Sequence, residues 1–271
     1  MARTIVVKVG TSTLTDENGL IDREFLPVLA GQLCDLMEAE HRVVLVTSGA
    51  VRAGAEALGW TQRPRTVQLK QAAAAIGQGR LMGLYAQAFQ ERGRLVGQIL
   101  LTRQLAQERA RYVNAQNTLT TLLRHGVLPV VNENDTVAVE ELQFGDNDTL
   151  AALVSALVGA DLLVLLTNVD GLLDAEGKVV PRVERITDDL RAVAGGAGRH
   201  GSGGMATKLN AAEIAGAAGV RTVIARGRRP GVLAEVVAGA PIGTRFDPAE
   251  RRLKGRKHWL AYGTRPRGAL T

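Results

Sequence analysis

Two uninterrupted apolar runs constrain this chain more than any other feature. Val43-Val44-Leu45-Val46 and Leu162-Leu163-Val164-Leu165-Leu166 put no polar side chain on either alternating face. A strand of that kind must be covered on both sides, which is the mark of a mainly parallel sheet packed between helices. Similar runs make candidate strands at 3–9, 42–47, 94–101, 127–131, 162–167 and 221–225. Helical periodicity fills the intervals, over 23–40, 49–58, 66–92, 111–125, 147–159, 205–218 and 229–238. The alternation predicts right-handed crossovers and an α/β fold, a three-layer α/β/α sandwich with a mainly parallel central sheet. At 271 residues the chain suits one such unit. Two segments break the rhythm. Residues 136–145 alternate and suggest a hairpin, and 195–204 (GGAGRHGSGG) are glycine-rich.

Charge divides the chain at about residue 250. Residues 251–271 hold seven basic residues and no acid, whereas the first 250 hold 26 basic against 27 acidic, so the body is near neutral and the net +6 belongs to the tail. We therefore expect a folded domain over 1–250 and a basic tail over 251–271, the latter read as a linker broken by Gly263, Pro266 and Gly268 rather than as a nucleic-acid contact. Aromatics are only 3%, which argues against a base-stacking platform. The single cysteine, Cys34, excludes an intrachain disulfide and a multi-cysteine metal site. It sits in an amphipathic pattern and reads as core. No run reaches the roughly 18 uncharged apolar residues of a membrane helix, and the N-terminus enters a strand-like run directly. A cytoplasmic protein with no membrane partner is the expectation.

Ligands of parallel sheets bind beyond the carboxyl ends of the strands, and there the polar residues gather. Strand one ends in Lys8-Val9-Gly10-Thr11-Ser12. A lysine at the end of a buried strand needs an anion unless it snorkels to water, and a glycine turn lets backbone N–H groups approach a phosphate. Strand two ends in Thr47-Ser48-Gly49-Ala50, either an ordinary Ser cap or an anion-binding helix start. Asn132-Glu133-Asn134-Asp135 follows an apolar strand with four polar side chains, more than a turn requires. Such a cluster can hold the ammonium and carboxylate of an amino acid. Gly145-Asp146-Asn147-Asp148 opens a helix with two acids where one would cap it. Gly201-Ser202-Gly203-Gly204-Met205-Ala206-Thr207-Lys208 brings a lysine into the first turns of a helix, against its dipole, which favours a nearby anion.

Other chemistries fail on spacing. The 201–208 loop is not a Walker A motif, because its lysine follows Thr207. Gly196-Ala197-Gly198-Arg199-His200-Gly201 matches a dinucleotide fingerprint in letters only, with no strand directly before it. The four histidines show no ligand spacing, the acidic loop lacks the features of a calcium hand, and no GxSxG elbow is present. Two lysines, two glycine-rich loops and a cluster of acids and amides instead suit phosphoryl transfer to an anionic amino acid, where a carboxylate acceptor needs no general base.

Five blocks in order carry a resemblance: VVKVGTS at 6–12, VTSGAVRAG at 46–54, VNENDTV at 131–137, FGDNDTLAALV at 144–154 and GSGGMATKLNAA at 201–212. The chain resembles the amino acid kinase family, from about residue 3 onward, and within it the members that phosphorylate the γ-carboxylate of L-glutamate for proline synthesis. The resemblance implies ATP, with Mg²⁺ as Mg-ATP, and an amino acid kinase catalytic domain over 1–250. It implies that Lys8 and Lys208 flank the phosphoryl group and that Asp148 organises them, with no metal ligand in the chain. Gly10 and Thr11 would lie along the phosphates. Thr167, Asn168 and the loop Ser202, Gly203, Gly204, Met205, Ala206, Thr207 and Lys208 would contact ATP. Ser48, Gly49, Asn134, Asp135 and Asn147 would hold glutamate. The family pair Thr-Asp reads Thr167-Asn168 here, one negative charge fewer. Lys257-His258-Trp259-Leu260 is similar to the start of a PUA domain, so the tail resembles a linker into a domain this short form lacks. Homo-oligomers and feedback inhibition by L-proline are further expectations of the resemblance.

Rival readings are a kinase of the same fold acting on N-acetylglutamate, aspartate or uridylate, a nucleic-acid-binding protein using the tail, and a kinase that binds without turnover. The 131–148 blocks, the near-neutral body and the two lysines with Asp148 weigh against each in turn.

Overall fold

The computed structural model describes residues 1–62, 64–102, 108–137, 147–196 and 204–249. Its sheet contains β1 (Thr4–Val9), β2 (Arg42–Thr47), β3 (Val96–Leu101), β4 (Leu128–Glu133), β5 (Leu162–Thr167), β6 (Arg182–Val183), β7 (Arg221–Arg226) and β8 (Thr244–Phe246), in the order β3-β4-β2-β1-β5-β7-β8-β6. Among the strand pairs of the described residues, β8 against β7 is antiparallel and the others are parallel. The helices are α1 (Thr11–Leu14), α2 (Phe25–Glu38), α3 (Ala50–Ala57), α4 (Val67–Gln90), α5 (Arg109–Arg124), α6 (Asn147–Val158), α7 (Asp188–Gly196), α8 (Met205–Ala217) and α9 (Val232–Ala238).

The doubly apolar runs behave as their composition requires. In β1, Ile5, Val7 and Val9 join a core with Leu29 and Leu33 of α2, Tyr85 and Phe89 of α4, and Leu233 of α9. The other face, through Val6, joins a second core with Leu150 and Val154 of α6 and Leu209 and Ile214 of α8. The period of two along a strand thus sorts side chains between two helical layers. Each fully buried Leu, Val or Ile contributes about 1.5–3 kcal/mol of burial, so both layers are firmly held. Lys8 shares the face of Val6 and therefore emerges on the α6/α8 side. Asn132 of β4 shares the face of Val130, which packs in the α2/α4 core.

All six expected strands and all seven expected helices form, with ends displaced by at most three residues. Four elements exceed the expectation. The strands β6 and β8 are too short for a periodic signal, α7 lies outside every expected span, and α1 is a single helical turn where a glycine turn was expected. The expected hairpin is described only at its first two residues, and 138–146, 197–203 and 250–271 lie outside the described residues. The expected junction near 245–250 falls at the limit of the described residues. Cys34 is fully buried, and burial pushes its thiol pKa up, as a core cysteine requires. Among the described residues no helix is long and apolar enough to cross a membrane.

Candidate active site

The chain runs from β1 to β2 on one side of the sheet and returns to place β5 on the other side of β1. The carboxyl end of β1 is therefore a switch point, where a crevice opens. Lys8 stands there. Its Nζ lies 2.6 Å from Asp148 Oδ1, and Lys208 Nζ lies 3.0 Å from Oδ2 of the same carboxylate. The three side chains come from β1, the first turn of α6 and the first turn of α8. Lys8 is 5% exposed, Lys208 6% and Asp148 not at all. Burial alone would raise the Asp148 pKa, but the two ammonium groups outweigh it and hold the carboxyl below its ordinary range. Thr207 adds its hydroxyl, 3.2 Å from Asp148 Oδ2 and 2.7 Å from the Gly204 carbonyl. The anion that a lysine at this helix start needs is thus supplied by the protein itself.

Lys8, Asp148 and Lys208 thus sit together in a largely desolvated crevice, where buried charges are tolerated because they pair. Gly10 closes the other wall. It caps α1 with extended backbone, and a Cβ there would stand 3.3 Å from Lys8 Nζ. The absent side chain keeps that approach open. Thr11, the next residue, is exposed at the start of α1.

On the β2/β4 side lies a network of amides. The Asn147 side-chain nitrogen donates to the Thr47 carbonyl (2.5 Å), Asn132 Oδ1 (2.8 Å) and Ser48 Oγ (3.0 Å). Its nitrogen is thereby committed to the protein. Ser48 does not cap α3. That position belongs to Gly49, at φ +105°, a left-handed conformation that glycine adopts without strain. The serine hydroxyl is released for Asn147. Thr47 is in turn anchored by the hydroxyl of Tyr85 at 2.7 Å; burial pushes that phenol pKa far up, so it stays protonated. Asn134 and Asp135 follow β4. Asn134 Oδ1 accepts from Thr136 Oγ1 at 2.6 Å. Burial raises the Asp135 carboxyl to about 6.

On the β5/β7 side, Thr167 ends β5 and donates from Oγ1 to Asn168 Oδ1 at 3.3 Å. Asp170 receives both arms of Arg226, at 2.7 and 3.0 Å, and that hydrogen bonding lowers its pKa. Gly204 caps α8, which carries Met205, Ala206, Thr207 and Lys208. Ser202 and Gly203 lie outside the described residues.

The sequence-derived residues thus sort into two groups flanking the Lys8–Asp148–Lys208 cluster. Ser48, Gly49, Asn134, Asp135 and Asn147 lie toward β2 and β4. Thr167, Asn168 and Gly204 to Lys208 lie toward β5 and α8. Direct contacts unite Lys8, Asp148, Thr207 and Lys208, and separately Ser48 and Asn147. Sequence reasoning did not single out Asn132, Thr47, Tyr85 or Gln78. Asn132 and Thr47 stood within recognised clusters, whereas Gln78 lies mid-helix and gives no signal.

The amino acid kinase family profile matches residues 3–226. The chain belongs to the amino acid kinase family. Among this kinase's relatives, a glutamate 5-kinase of Caldanaerobacter subterraneus subsp. tengcongensis is 50% identical over 98% of this chain and 73% of its own length. A glutamate 5-kinase of Nostoc punctiforme is 49% identical over the whole of this chain and 76% of its own. In structure, carbamate kinase from Giardia lamblia bound to AMP-PNP superposes with a TM-score of 0.65, at 17% identity, over 92% of this chain and 99% of the other. That likeness shows the fold. Among the described residues no group of three or more His, Cys, Asp or Glu is gathered to hold a metal ion.

Proposed function

We propose that this amino acid kinase transfers the γ-phosphoryl group of ATP to the γ-carboxylate of L-glutamate, giving L-glutamyl 5-phosphate and ADP, the first step of proline biosynthesis. The observation that carries the reading is the buried Lys8–Asp148–Lys208 cluster, set between two polar half-sites in a chain half-identical to glutamate 5-kinases throughout.

A γ-carboxylate oxygen attacks the terminal phosphorus, and the bond to the β-phosphate oxygen breaks. The acceptor is already ionised at neutral pH, so no base has to remove a proton. What remains is to place two anions together and offset their charge. Lys8 and Lys208 do this, and Asp148 holds both ammonium groups in position before the substrates arrive. Both Asp148 oxygens are engaged by lysines; Mg²⁺ bound as Mg-ATP would supply neutralisation of phosphate charge beside them. Gly10 and Thr11 line the phosphate path. Thr167, Asn168 and the 202–208 loop receive the nucleotide.

Asp135 and the oxygen of Asn147 accept hydrogen bonds from the substrate ammonium, and Ser48, Gly49 and Asn134 bind its carboxylate end. A raised carboxyl pKa at Asp135 is what a buried acid shows before its cation binds. L-Proline carries the same ammonium and carboxylate pair and is read as a feedback inhibitor of this half-site. The exposed Leu69 and Ile76 of α4 and Leu100 of the edge strand β3 support a homo-oligomer. We assign catalysis to residues 1–250, place the protein in the cytoplasm, and assign it no membrane or nucleic-acid partner.

The test is hydroxylamine trapping of the acyl phosphate, with ATP, Mg²⁺ and parallel samples of L-glutamate, L-aspartate and N-acetylglutamate. Hydroxamate from L-glutamate alone is expected. Hydroxamate from another acceptor instead, or from none, would reject the assignment.

A further inference from the structure

Gln78, in the middle of α4, lies outside the residues assigned to either half-site. Its Oε1 accepts a hydrogen bond from Asn132 Nδ2 at 2.8 Å. The orientation of this pair is fixed from the backbone outward. Asn132 Oδ1 accepts from the backbone N–H of Glu133 at 2.9 Å, and a backbone nitrogen can only donate. The amide nitrogen of Asn132 must therefore point the other way, toward an acceptor, and Gln78 Oε1 is that acceptor. With Asn132 locked, its Oδ1 also receives Asn147 Nδ2 at 2.8 Å, so the orientation of one amide is passed to the other.

Two further observations say this link is not kept for stability. The Gln78 Nε2 atom is buried and has no hydrogen-bond partner among the described residues, a cost that a purely structural glutamine would avoid. And α4 is admitted to this position at some expense of packing freedom. A Cβ at the neighbouring Gly77 would lie 1.8 Å from the Ala50 carbonyl oxygen at the start of α3. Only a residue without a side chain lets α4 lie this close to α3, in the position from which Gln78 reaches Asn132.

We infer that Gln78 is a positioning residue for the amino-acid half-site: through Asn132 it sets the side-chain orientation of Asn147, and so the affinity for the amino-acid substrate. This rests on the glutamate-kinase reading above. The link touches the amide network and leaves the Lys8–Asp148–Lys208 cluster alone, so it should act on acceptor binding and spare phosphoryl transfer.

The variant is Gln78→Met, close in volume and without an acceptor. It removes one orphaned amide nitrogen, that of Gln78, and creates another, that of Asn132, so the folded state is neither much better nor much worse satisfied. Expected is a KM for L-glutamate raised by about tenfold or more, with kcat and the KM for ATP within about threefold of wild type. The melting temperature should stay within about 3 °C. In the NMR spectrum of protein labelled at asparagine, the side-chain amide signals of Asn132 and Asn147 should move, without substrate present. An unchanged KM for glutamate overturns the inference. So does a variant that melts far lower or loses kcat together with both KM values, which is how a packing residue behaves. A wild-type chain inert with glutamate overturns the functional reading and this inference with it; an active wild type with an indifferent Gln78→Met overturns the inference alone.

Discussion

Asp135 carries the sharpest consequence of burial for a single residue. Desolvation lifts its carboxyl from an ordinary 3.8 to about 6, so the charged form is disfavoured in the folded protein. The penalty is fully present above pH 6 and vanishes below the unfolded value, where both states are protonated. Discounted for the part of the side chain that meets solvent, it corresponds to roughly 2 kcal/mol. Asp135→Asn should therefore raise the melting temperature at pH 7.5 by about 4–8 °C, a gain that shrinks toward zero as pH falls from 6 to 4. Calorimetric scans across that range check it, and a destabilised variant at pH 7.5 would contradict it. The same ionisation serves binding with the opposite sign. The KM for glutamate should climb about tenfold per pH unit below 6 in the wild-type enzyme, as the ammonium partner is protonated away. At this scale, much of the candidate site was legible. Lys8 stood out as a charge at the end of an apolar strand, Asp148 as a second acid where one would cap a helix, and Lys208 as a cation set against a helix dipole. Gln78 and Tyr85 did not, since an amide or a phenol inside a helical pattern looks the same whether it faces a core, water or a substrate.

The elements meet the site through close approaches that glycine permits. Gly54 of α3 faces the Ala73 carbonyl of α4, and Gly77 of α4 faces the Ala50 carbonyl of α3; an added Cβ would sit 1.8 Å from an oxygen in each case. Neither neighbour is the end of a flexible side chain, so the helices would have to part. Gly77→Ala should destabilise by about 3 kcal/mol, seen as a fall of about 6–12 °C in thermal unfolding. A melting point unchanged within 2 °C would show that the helices slide freely. The strands were read well from the sequence because doubly apolar runs have few alternatives. The α3–α4 contact was not, because a glycine spared for a neighbouring backbone and a glycine that merely tolerates a helix are the same letter. Likewise β6 and β8 give no periodicity in two and three residues, and their pairing is decided by the tertiary fold. Of the two readings of Ser48, the ordinary helix cap was the local one. The structure assigns the cap to Gly49, because the serine hydroxyl is worth more as a partner of Asn147, ninety-nine residues away.

The whole molecule is polarised along the strands. At the carboxyl edge, α3, α6 and α8 begin, directing their partially positive ends at the crevice. At the amino edge a cavity of about 610 Å³ is lined by Arg3, Arg182, Arg221, Arg245 and Asp161, and there α6, α8 and α9 end. The arginines offset the partially negative ends of those helices; Arg3 donates directly to the Val237 carbonyl at 3.0 Å, and Arg182 and Arg245 share Asp247. Arginines of that cavity are thus paired within the fold, whereas the buried lysines Lys8 and Lys208 stand at the opposite, carboxyl edge. The account stands on this division, with a positive centre for the transferred group and an amide and carboxylate half-site for the acceptor. Lys8→Ala and Lys208→Ala each leave Asp148 paired with the other lysine, so both variants should fold. The decisive measurement is the turnover number of each variant beside its dissociation constant for L-glutamate from calorimetry. The account predicts that turnover falls by about a hundredfold or more while glutamate affinity stays within about threefold. Equal losses in both quantities, or turnover left intact, would contradict it.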